Sequence, residues 1–125
     1  MPNFDARTVD KPWGYELIFA HTERYVGKIL FIREGEALSR QYHEQKDETI
    51  HVLEGTLRLE VGQGETLETL LMETGRSFHV TPGTIHRFVA DSDVKLAEVS
   101  TPELDDVVRL EDRYGRAPEK AETGS

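Results

Sequence analysis

Residues 35–55 read GEALSRQYHEQKDETIHVLEG, and residues 75–86 read GRSFHVTPGTIH. Both stretches begin at a glycine, and glycine and proline recur where strands should end and turns begin. Two imidazoles, one carboxylate and one amide oxygen lie between these turns. They belong to His43, His86, Glu48 and Gln41. Nitrogen and oxygen donors of this kind suit one divalent metal ion, so the two stretches together predict a metal site.

The spacing of these donors agrees with β-strands, in which side chains point alternately to the two faces. If Gln41 and His43 point into the protein, then so does Ser39. An inward His86 likewise turns its neighbour Arg87 outward. Inward positions next to the donors are mostly apolar, as a buried site requires. We therefore expect all four donors on the inner face of the strands around the metal.

Short segments rich in aromatic and β-branched residues recur along the chain between glycine-rich turns. Residues 56–61 show this clearly, because Leu57, Leu59 and Val61 alternate with polar residues, as in a half-buried strand. The segments that we predict as strands are 13–19, 25–33, 38–43, 48–54, 56–61, 66–73, 76–80, 85–90 and 94–100. Many short strands with regular turns predict an all-β barrel or sandwich.

The two ends of the chain have a different character. We expect residues 1–10 to be a loose arm, residues 11–116 to be a single domain and residues 117–125 to be a disordered tail. Within residues 105–113 the apolar side chains have roughly helical spacing, and two aspartates stand where carboxylates favour a helix N-terminus. This pattern predicts a short C-terminal helix.

Composition narrows the classes of protein and partner. The chain has 125 residues, enough for one hydrophobic core, and a net charge of −9, which disfavours binding to nucleic acid or to anionic membranes. It has no long apolar run and no apolar N-terminal stretch, so we expect neither a membrane span nor a secretory signal. The absence of cysteine rules out thiolate ligands and suits a cytoplasmic protein.

The two ligand-bearing stretches resemble the signature motifs of the cupin superfamily, in which a small double-stranded β-barrel, or jelly roll, surrounds a metal ion. Gln41 stands where the first motif usually has a histidine. Three further segments, at residues 11–14, 38–41 and 105–116, read KPWG, LSRQ and DDVVRLEDRYGR. With them the chain looks like the isomerase domain of type II phosphomannose isomerases, which commonly follows a mannose-1-phosphate guanylyltransferase domain.

This resemblance implies an activity and a cofactor. It implies isomerisation between mannose 6-phosphate and fructose 6-phosphate at one divalent metal ion. The Gln-x-His pair looks like that of zinc-dependent type I phosphomannose isomerases, so zinc is the first choice, with manganese, iron and nickel as alternatives. Small barrels of this family often pair through their edge strands, which are otherwise a liability, so we also expect a homodimer.

A sugar or sugar phosphate needs cationic and polar donors around it. We expect Lys28, Ser39 and Arg109 to bind the substrate, and Lys46 and Arg87 to serve catalysis. Lys28 and Arg109 match positions that are basic in the family, and Arg87 matches its His-Arg pair. Because alternation turns Arg87 outward, a structural salt bridge is an equal alternative for that residue.

The surroundings of the ligands depart from the family pattern. Lys46 stands where the family has an arginine expected to serve catalysis, and Gln45 and Thr49 stand where it has histidines. Two alternatives to an isomerase therefore stay open. One is a carbohydrate-binding module that retains the metal but not the catalysis. The other is an Fe(II) dioxygenase, because two histidines and one carboxylate also suit iron and oxygen chemistry.

Overall fold

The computed structural model describes residues 5–64 and 66–116, which form eleven β-strands and no helix. The strands are β1 Arg7–Lys11, β2 Gly14–His21, β3 Val26–Ile32, β4 Arg40–Tyr42, β5 Glu48–Glu54, β6 Leu57–Gly62, β7 Glu68–Met72, β8 Ser77–Val80, β9 Ile85–Ala90, β10 Val94–Ser100 and β11 Val108–Glu111. Every predicted strand is found, with ends within two residues of those expected. No helix long and apolar enough for a membrane crossing exists in the described part of the chain.

The strands form two antiparallel sheets that pack face to face. One sheet has the order β1-β2-β3-β10-β5-β8, and the other has the order β11-β4-β9-β6-β7. This architecture confirms the predicted all-β barrel or sandwich. The chain crosses from the second sheet to the first between β4 and β5, which is where the stretch of residues 35–55 carries its ligands. Ligands on either side of this crossing therefore face each other across the interior.

The interior between the sheets is apolar at one end and polar at the other. Along β10, Val94 and Leu96 are fully buried and apolar, and the next inward residue is Glu98, which lies opposite Lys28 of β3. On β5 the inward residues likewise change from apolar ones to Glu48 at the strand's start. Burial of one large apolar side chain contributes about 1.5–3 kcal/mol, so the apolar end stabilises the sheets while the polar end is available for a site.

A glycine turn joins the two ligand-bearing stretches. Gly83 has φ +82°, a left-handed conformation that favours glycine, and its N–H donates to the His43 carbonyl at 2.7 Å. The N–H of Thr84 closes the turn on the carbonyl of Thr81 at 3.1 Å. Strand β9 then begins and presents His86 as its second residue. The turn therefore fixes where His86 lies relative to His43.

The prediction of a C-terminal helix over residues 105–113 is wrong. Val108–Glu111 form strand β11, which pairs with β4, so that Val108 lies opposite Tyr42 and Arg109 opposite Gln41. The two β-branched residues before Arg109 suit a strand, and pairing with an open sheet edge outweighs the weak helical spacing. The aspartates that suggested a helix start serve in a turn instead.

The prediction of a loose arm fails for residues 7–10, because Arg7–Lys11 form strand β1. This strand lies at the edge of the six-stranded sheet and pairs along its whole length with β2. Residues 1–4 and the predicted tail, residues 117–125, lie outside the described residues. The domain boundaries at 11 and 116 remain a prediction.

Candidate metal centre

Three potential metal ligands meet at the polar end of the interior. His43 follows β4, Glu48 begins β5 and His86 lies in β9, and all three are buried. Their ligand atoms all lie within 4.8 Å of one another. Nε2 of His43 is 2.7 Å from Oε1 of Glu48, and the two imidazole rings have centroids 5.0 Å apart. The two sheets thus bring together residues that the sequence analysis selected by spacing.

Gln41 belongs to the same group by strand register. It lies opposite His86 in the pairing of β4 with β9, and only 1% of its surface is exposed. Its side-chain oxygen has no hydrogen-bond partner within the described residues. A buried amide oxygen without a partner costs about 1–3 kcal/mol, so an oxygen directed at a cation would remove that cost. The donor set therefore fits a divalent metal ion.

Both histidines are held in the orientation that a metal ligand needs. Nδ1 of His43 lies 2.6 Å from the Asp106 carbonyl, and Nδ1 of His86 lies 2.9 Å from the Thr84 carbonyl. A carbonyl only accepts hydrogen bonds, so each Nδ1 must carry the donated hydrogen. Nε2 of each ring therefore faces the centre, as is usual for metal-binding histidines. Burial lowers the pKa of His86 to about 4, so His86 is neutral near pH 7.

A buried lysine lies beside the ligands between two carboxylates. Nζ of Lys46 is 3.1 Å from Oε2 of Glu98 and 3.5 Å from Oε1 of Glu48. Burial opposes the charge of Lys46, but Glu48 and Glu98 outweigh burial and raise its pKa. Burial likewise opposes the charge of Glu48, but Lys46 and His43 hold its pKa well below the usual range. Lys46 is therefore an ammonium and Glu48 a carboxylate.

Glu98 completes this charged group, although its environment differs from that of Glu48. Burial and the negative charge of Glu48 raise the pKa of Glu98, and Lys46 only partly offsets them. Apart from its ion pair with Lys46, neither oxygen of Glu98 has a hydrogen-bond partner among the described residues. Such a carboxyl can exchange a proton closer to neutrality than an ordinary glutamate.

The residues expected to bind substrate lie in the same half of the interior. Lys28 is fully buried and forms an ion pair with Glu16 at 3.1 Å. Ser39 is fully buried, and its hydroxyl has no hydrogen-bond partner within the described residues. Arg109 is 4% exposed and pairs in register with Gln41, so both side chains belong to the inner face. Strand alternation thus predicted the inward position of Ser39, and β11 adds Arg109.

Arg87 lies elsewhere. It occupies the outer face of β9, where its guanidinium forms an ion pair with Glu60 at 2.9 Å. Its side chain is 27% exposed. This position agrees with the salt bridge that strand alternation suggested, and it gives no support to the catalytic role expected of Arg87, which remains a prediction.

Three further residues of the site escaped the sequence analysis. They are Glu16, Glu98 and Asp106. Glu98 had a usable signal, because it stands two residues after Leu96 and four after Val94, on the same face of a predicted strand. Neither Glu16 nor Asp106 had such a signal. Glu16 belongs to the site because it forms an ion pair with Lys28 on the neighbouring strand. Asp106 belongs to it because it binds a loop about sixty residues earlier in the chain.

A buried group of potential metal ligands at the polar end of a two-sheet barrel is typical of one family of proteins. Residues 28–101, more than half of the chain, match the cupin domain family, so the chain belongs to the cupin family. This match confirms the resemblance that the two ligand-bearing stretches indicated.

Most of this chain can be aligned with named relatives. It is 36% identical over 116 residues to the mannose-1-phosphate guanylyltransferase ManC of Salmonella typhimurium, a match that covers 88% of the chain and 23% of that protein. It is 34% identical over 115 residues to the xanthan biosynthesis protein XanB of Xanthomonas campestris, covering 88% of the chain and 24% of that protein. The chain therefore spans about a quarter of the length of these relatives.

Solved structures show the same fold. KdgF from a Halomonas species has a TM-score of 0.68 at 23% identity, with 80% of this chain and 89% of that chain covered. The capsular polysaccharide assembling protein CapF of Staphylococcus aureus has a TM-score of 0.77 at 15% identity, with 87% and 32% covered. At these identities the likeness establishes the shared fold alone.

Proposed function

We propose that this protein is a metal-dependent cupin that acts on a sugar or sugar phosphate, as an aldose–ketose isomerase of the mannose-6-phosphate isomerase kind. The observation that carries the proposal is the buried group of Gln41, His43, Glu48 and His86 with a lysine beside it. Relatives named for mannose 1-phosphate and for xanthan support a sugar-related ligand. Zinc as the metal, a homodimer and a cytoplasmic location remain predictions from the sequence.

The four ligands would hold the metal with one formal negative charge, that of Glu48. A divalent ion held this way keeps a net positive charge and, when bound, polarises a carbonyl or hydroxyl oxygen of the substrate. The chain's own residues set up this site in advance, because a carbonyl holds Nδ1 of each histidine and Glu48 is ionised.

Lys46 is proposed as the catalytic group. Isomerisation of an aldose to a ketose moves one proton between neighbouring carbons and another between their oxygens. Nζ of Lys46 holds a proton 3.1 Å from Glu98, and the raised pKa of Glu98 suits a carboxyl that exchanges protons. Lys46 and Glu98 therefore provide a proton donor and a proton acceptor at one point beside the ligands.

Lys28, Ser39 and Arg109 are proposed to bind the substrate. All three are at least nine-tenths buried and line the polar half of the interior. Two of them are cations, which a phosphate group would require in a chain of net charge −9. Lys28 is paired with Glu16, and Arg109 lies opposite Gln41, so both cations border the polar half of the interior.

The test is exchange of the C2 proton in deuterated water, followed by NMR, with metal-loaded protein and a panel of hexose and pentose phosphates that includes mannose 6-phosphate and fructose 6-phosphate. We expect exchange on at least one sugar phosphate. Lys46→Met should lower kcat by about 10²–10⁴-fold, the usual contribution of acid–base catalysis. The matched control is Lys95→Met, which removes the same charge from the outer face of β10 and should leave kcat unchanged.

Two other outcomes would select the alternatives. Saturable sugar binding without proton exchange would overturn the isomerase and favour a binding module, which the changes at Gln45, Lys46 and Thr49 suggested. Oxygen consumption by the Fe(II)-loaded protein, again without exchange, would favour a dioxygenase built on His43, Glu48 and His86.

A further inference from the structure

The segment of residues 101–116 contains the C-terminal motif, and within it Asp106 contacts both His43 and the loop that follows it. The carboxylate of Asp106 accepts three backbone hydrogen bonds, from the N–H groups of Glu44 at 3.0 Å, Gln45 at 2.6 Å and Lys46 at 2.8 Å. The Asp106 carbonyl accepts the hydrogen bond from Nδ1 of His43 at 2.6 Å. One residue thus binds four consecutive positions of a distant part of the chain.

The four positions form the connection between the two sheets. His43 follows β4 of the second sheet and Glu48 begins β5 of the first, so the loop between them sets the separation of two ligands. The same loop directs Lys46, which has no strand pairing of its own, into the interior beside Glu48. Any motion of the loop would therefore move a ligand imidazole and an ammonium together.

The carboxylate of Asp106 has the chemistry for this task. A carboxylate that accepts several backbone hydrogen bonds is held in its charged form, since charge-assisted hydrogen bonds are about twice as strong as neutral ones. Partial burial opposes the charge of Asp106, but the three N–H groups outweigh burial and lower its pKa. The carboxylate also fills the hydrogen-bonding needs of three consecutive N–H groups that a neutral side chain would satisfy only in part.

The loop has a second tie to the same segment. The N–H of Asp47 donates to the hydroxyl of Thr101 at 3.0 Å, and the N–H of Thr101 donates back to the Asp47 carbonyl at 3.0 Å. Strand β11, a few residues later, pairs with β4 beside Gln41. The segment is therefore anchored on both sides of Asp106, so that Asp106 is itself held in place.

We propose that Asp106 is a positioning residue of the metal centre, whose carboxylate fixes the loop of residues 44–46 and whose carbonyl fixes the tautomer of His43. Nε2 of His43 and Nζ of Lys46 then face Glu48 from two directions. The proposal rests on the proposed function only in that this site holds a divalent metal. Loss of a partner that orients a ligand typically lowers metal affinity by about 10–100-fold, and we expect this effect for Asp106→Ala.

The experiment uses the full chain and two readouts. The first is the affinity for Co²⁺, measured by competition with a chelating dye, together with the visible spectrum of the bound Co²⁺. The second is the ¹⁵N NMR spectrum of the histidine rings in metal-free protein, which reports the tautomer of His43. Asp106→Ala should weaken Co²⁺ binding by about 10–100-fold and alter the Co²⁺ spectrum. It should also let His43 sample both tautomers, because the loop freed from the carboxylate lets the ring move away from the Asp106 carbonyl, which the substitution retains.

The matched control is Asp112→Ala. This carboxylate lies in the same segment, where it accepts from the backbone N–H of Arg116 at 2.7 Å and from its guanidinium Nε at 2.9 Å. Its removal loosens the segment without touching the loop of residues 44–46. We expect Asp112→Ala to lower the thermal midpoint yet to keep the Co²⁺ affinity, the spectrum and the His43 tautomer of the unmodified protein.

Asp106→Asn keeps the test decisive if Asp106→Ala does not fold. Its single side-chain oxygen retains part of the hydrogen bonding, so its Co²⁺ affinity should lie between those of the unmodified protein and Asp106→Ala. Folded variants with unchanged Co²⁺ affinity would overturn the proposal. If the unmodified protein binds no Co²⁺, the metal-dependent function falls, and an unchanged His43 tautomer in the variants would separately overturn the role of Asp106.

Discussion

At the scale of single residues, burial and neighbouring charges determine which side chains of the site are charged near pH 7. Glu48 and Asp106 have lowered pKa values, because nearby cations and hydrogen-bond donors outweigh burial. His86 has a lowered pKa, of about 4, because burial opposes its charge. Glu98 has a raised pKa, chiefly because of burial. The result near pH 7 is two charged carboxylates and a neutral imidazole, which is the protonation that metal binding requires.

The lowered pKa of His86 predicts acid destabilisation of the metal-free protein. Between pH 6.5, the pKa of an unperturbed histidine, and about 4, the unfolded chain binds a proton at this position and the folded protein does not. The stability due to neutral His86 is therefore present above pH 6.5 and is lost as the pH falls to about 4. The full loss is about 3 kcal/mol. Urea unfolding at a series of pH values, in chelator, would measure it.

Two variants isolate this contribution. His86→Gln removes the titrating group, so its free energy of unfolding should fall less steeply than that of the unmodified protein between pH 6.5 and 4. His51→Gln is the matched substitution, because it removes a histidine from the outer face of β5, where the ring contacts Ser77 at 2.7 Å, and leaves His86 in place. The raised pKa of Glu98 acts in the opposite direction in all three proteins and cancels in the comparison. Parallel curves for His86→Gln and the unmodified protein would contradict the prediction.

At the scale of the elements, alternation and turn chemistry predicted much of the fold and part of the site. Nine strands were predicted from the spacing of apolar residues and the positions of glycines. The alternation of side chains along a strand correctly placed Gln41, Glu48 and His86 on the inner face. The alternation of side chains along strands carries no information about residues in loops. The inward direction of Lys46 and the contacts of Asp106 could therefore not be predicted. Both depend on contacts between segments far apart in the chain.

The same limit explains the strand that was predicted as a helix. The apolar residues of β11 fit a helical spacing roughly as well as a strand, and a short segment offers too few periods to decide. The decision comes from outside the segment, since β4 presents an open edge that β11 completes. Local sequence could not reveal this edge, because the neighbouring strand lies more than sixty residues earlier.

Turn geometry predicts unequal costs for two glycines with the same backbone conformation. Gly55 has φ +90° and Gly75 has φ +94°, and an L residue pays about 1–2 kcal/mol in this region. A Cβ at Gly75 would meet nothing within 4 Å, whereas one at Gly55 would lie 2.2 Å from the Asp93 carbonyl oxygen. Gly75→Ala should therefore lower the free energy of unfolding by about 1–2 kcal/mol. Gly55→Ala should lower it by about a further 1–3 kcal/mol.

Gly75→Ala serves as the control for Gly55→Ala, because both variants share the backbone strain and only one adds the steric overlap. Urea unfolding of each variant measures the two free energies under the same conditions. Equal losses in both variants would contradict the prediction, since they would mean that the turn after β5 can move away from Asp93 at no cost.

At the scale of the whole molecule, the residues that stabilise the fold and the residues of the candidate site occupy different halves of the interior. The apolar half includes Trp13, Leu30, Ile32, Val52 and Leu96, all fully buried. The polar half includes three acidic and three basic side chains that are buried close to one another, so its charge is nearly balanced before a metal ion is added. These are Glu16, Glu48, Glu98, Lys28, Lys46 and Arg109. The fold therefore needs no metal ion to offset an excess of buried charge.

This separation predicts that chelation weakens the protein without unfolding it. Metal-free protein should unfold cooperatively with its core intact, and free Zn²⁺ at about 100 times its Kd should add about 2.7 kcal/mol, because only the folded state presents the ligands together. Thermal unfolding with chelator and with Zn²⁺ measures the shift. The double variant Gln41→Ala/His43→Ala removes two ligands and should lose the shift while remaining folded. An unfolded chelated protein would mean that the metal is structural, and a shift that persists in the double variant would place the bound Zn²⁺ outside this centre.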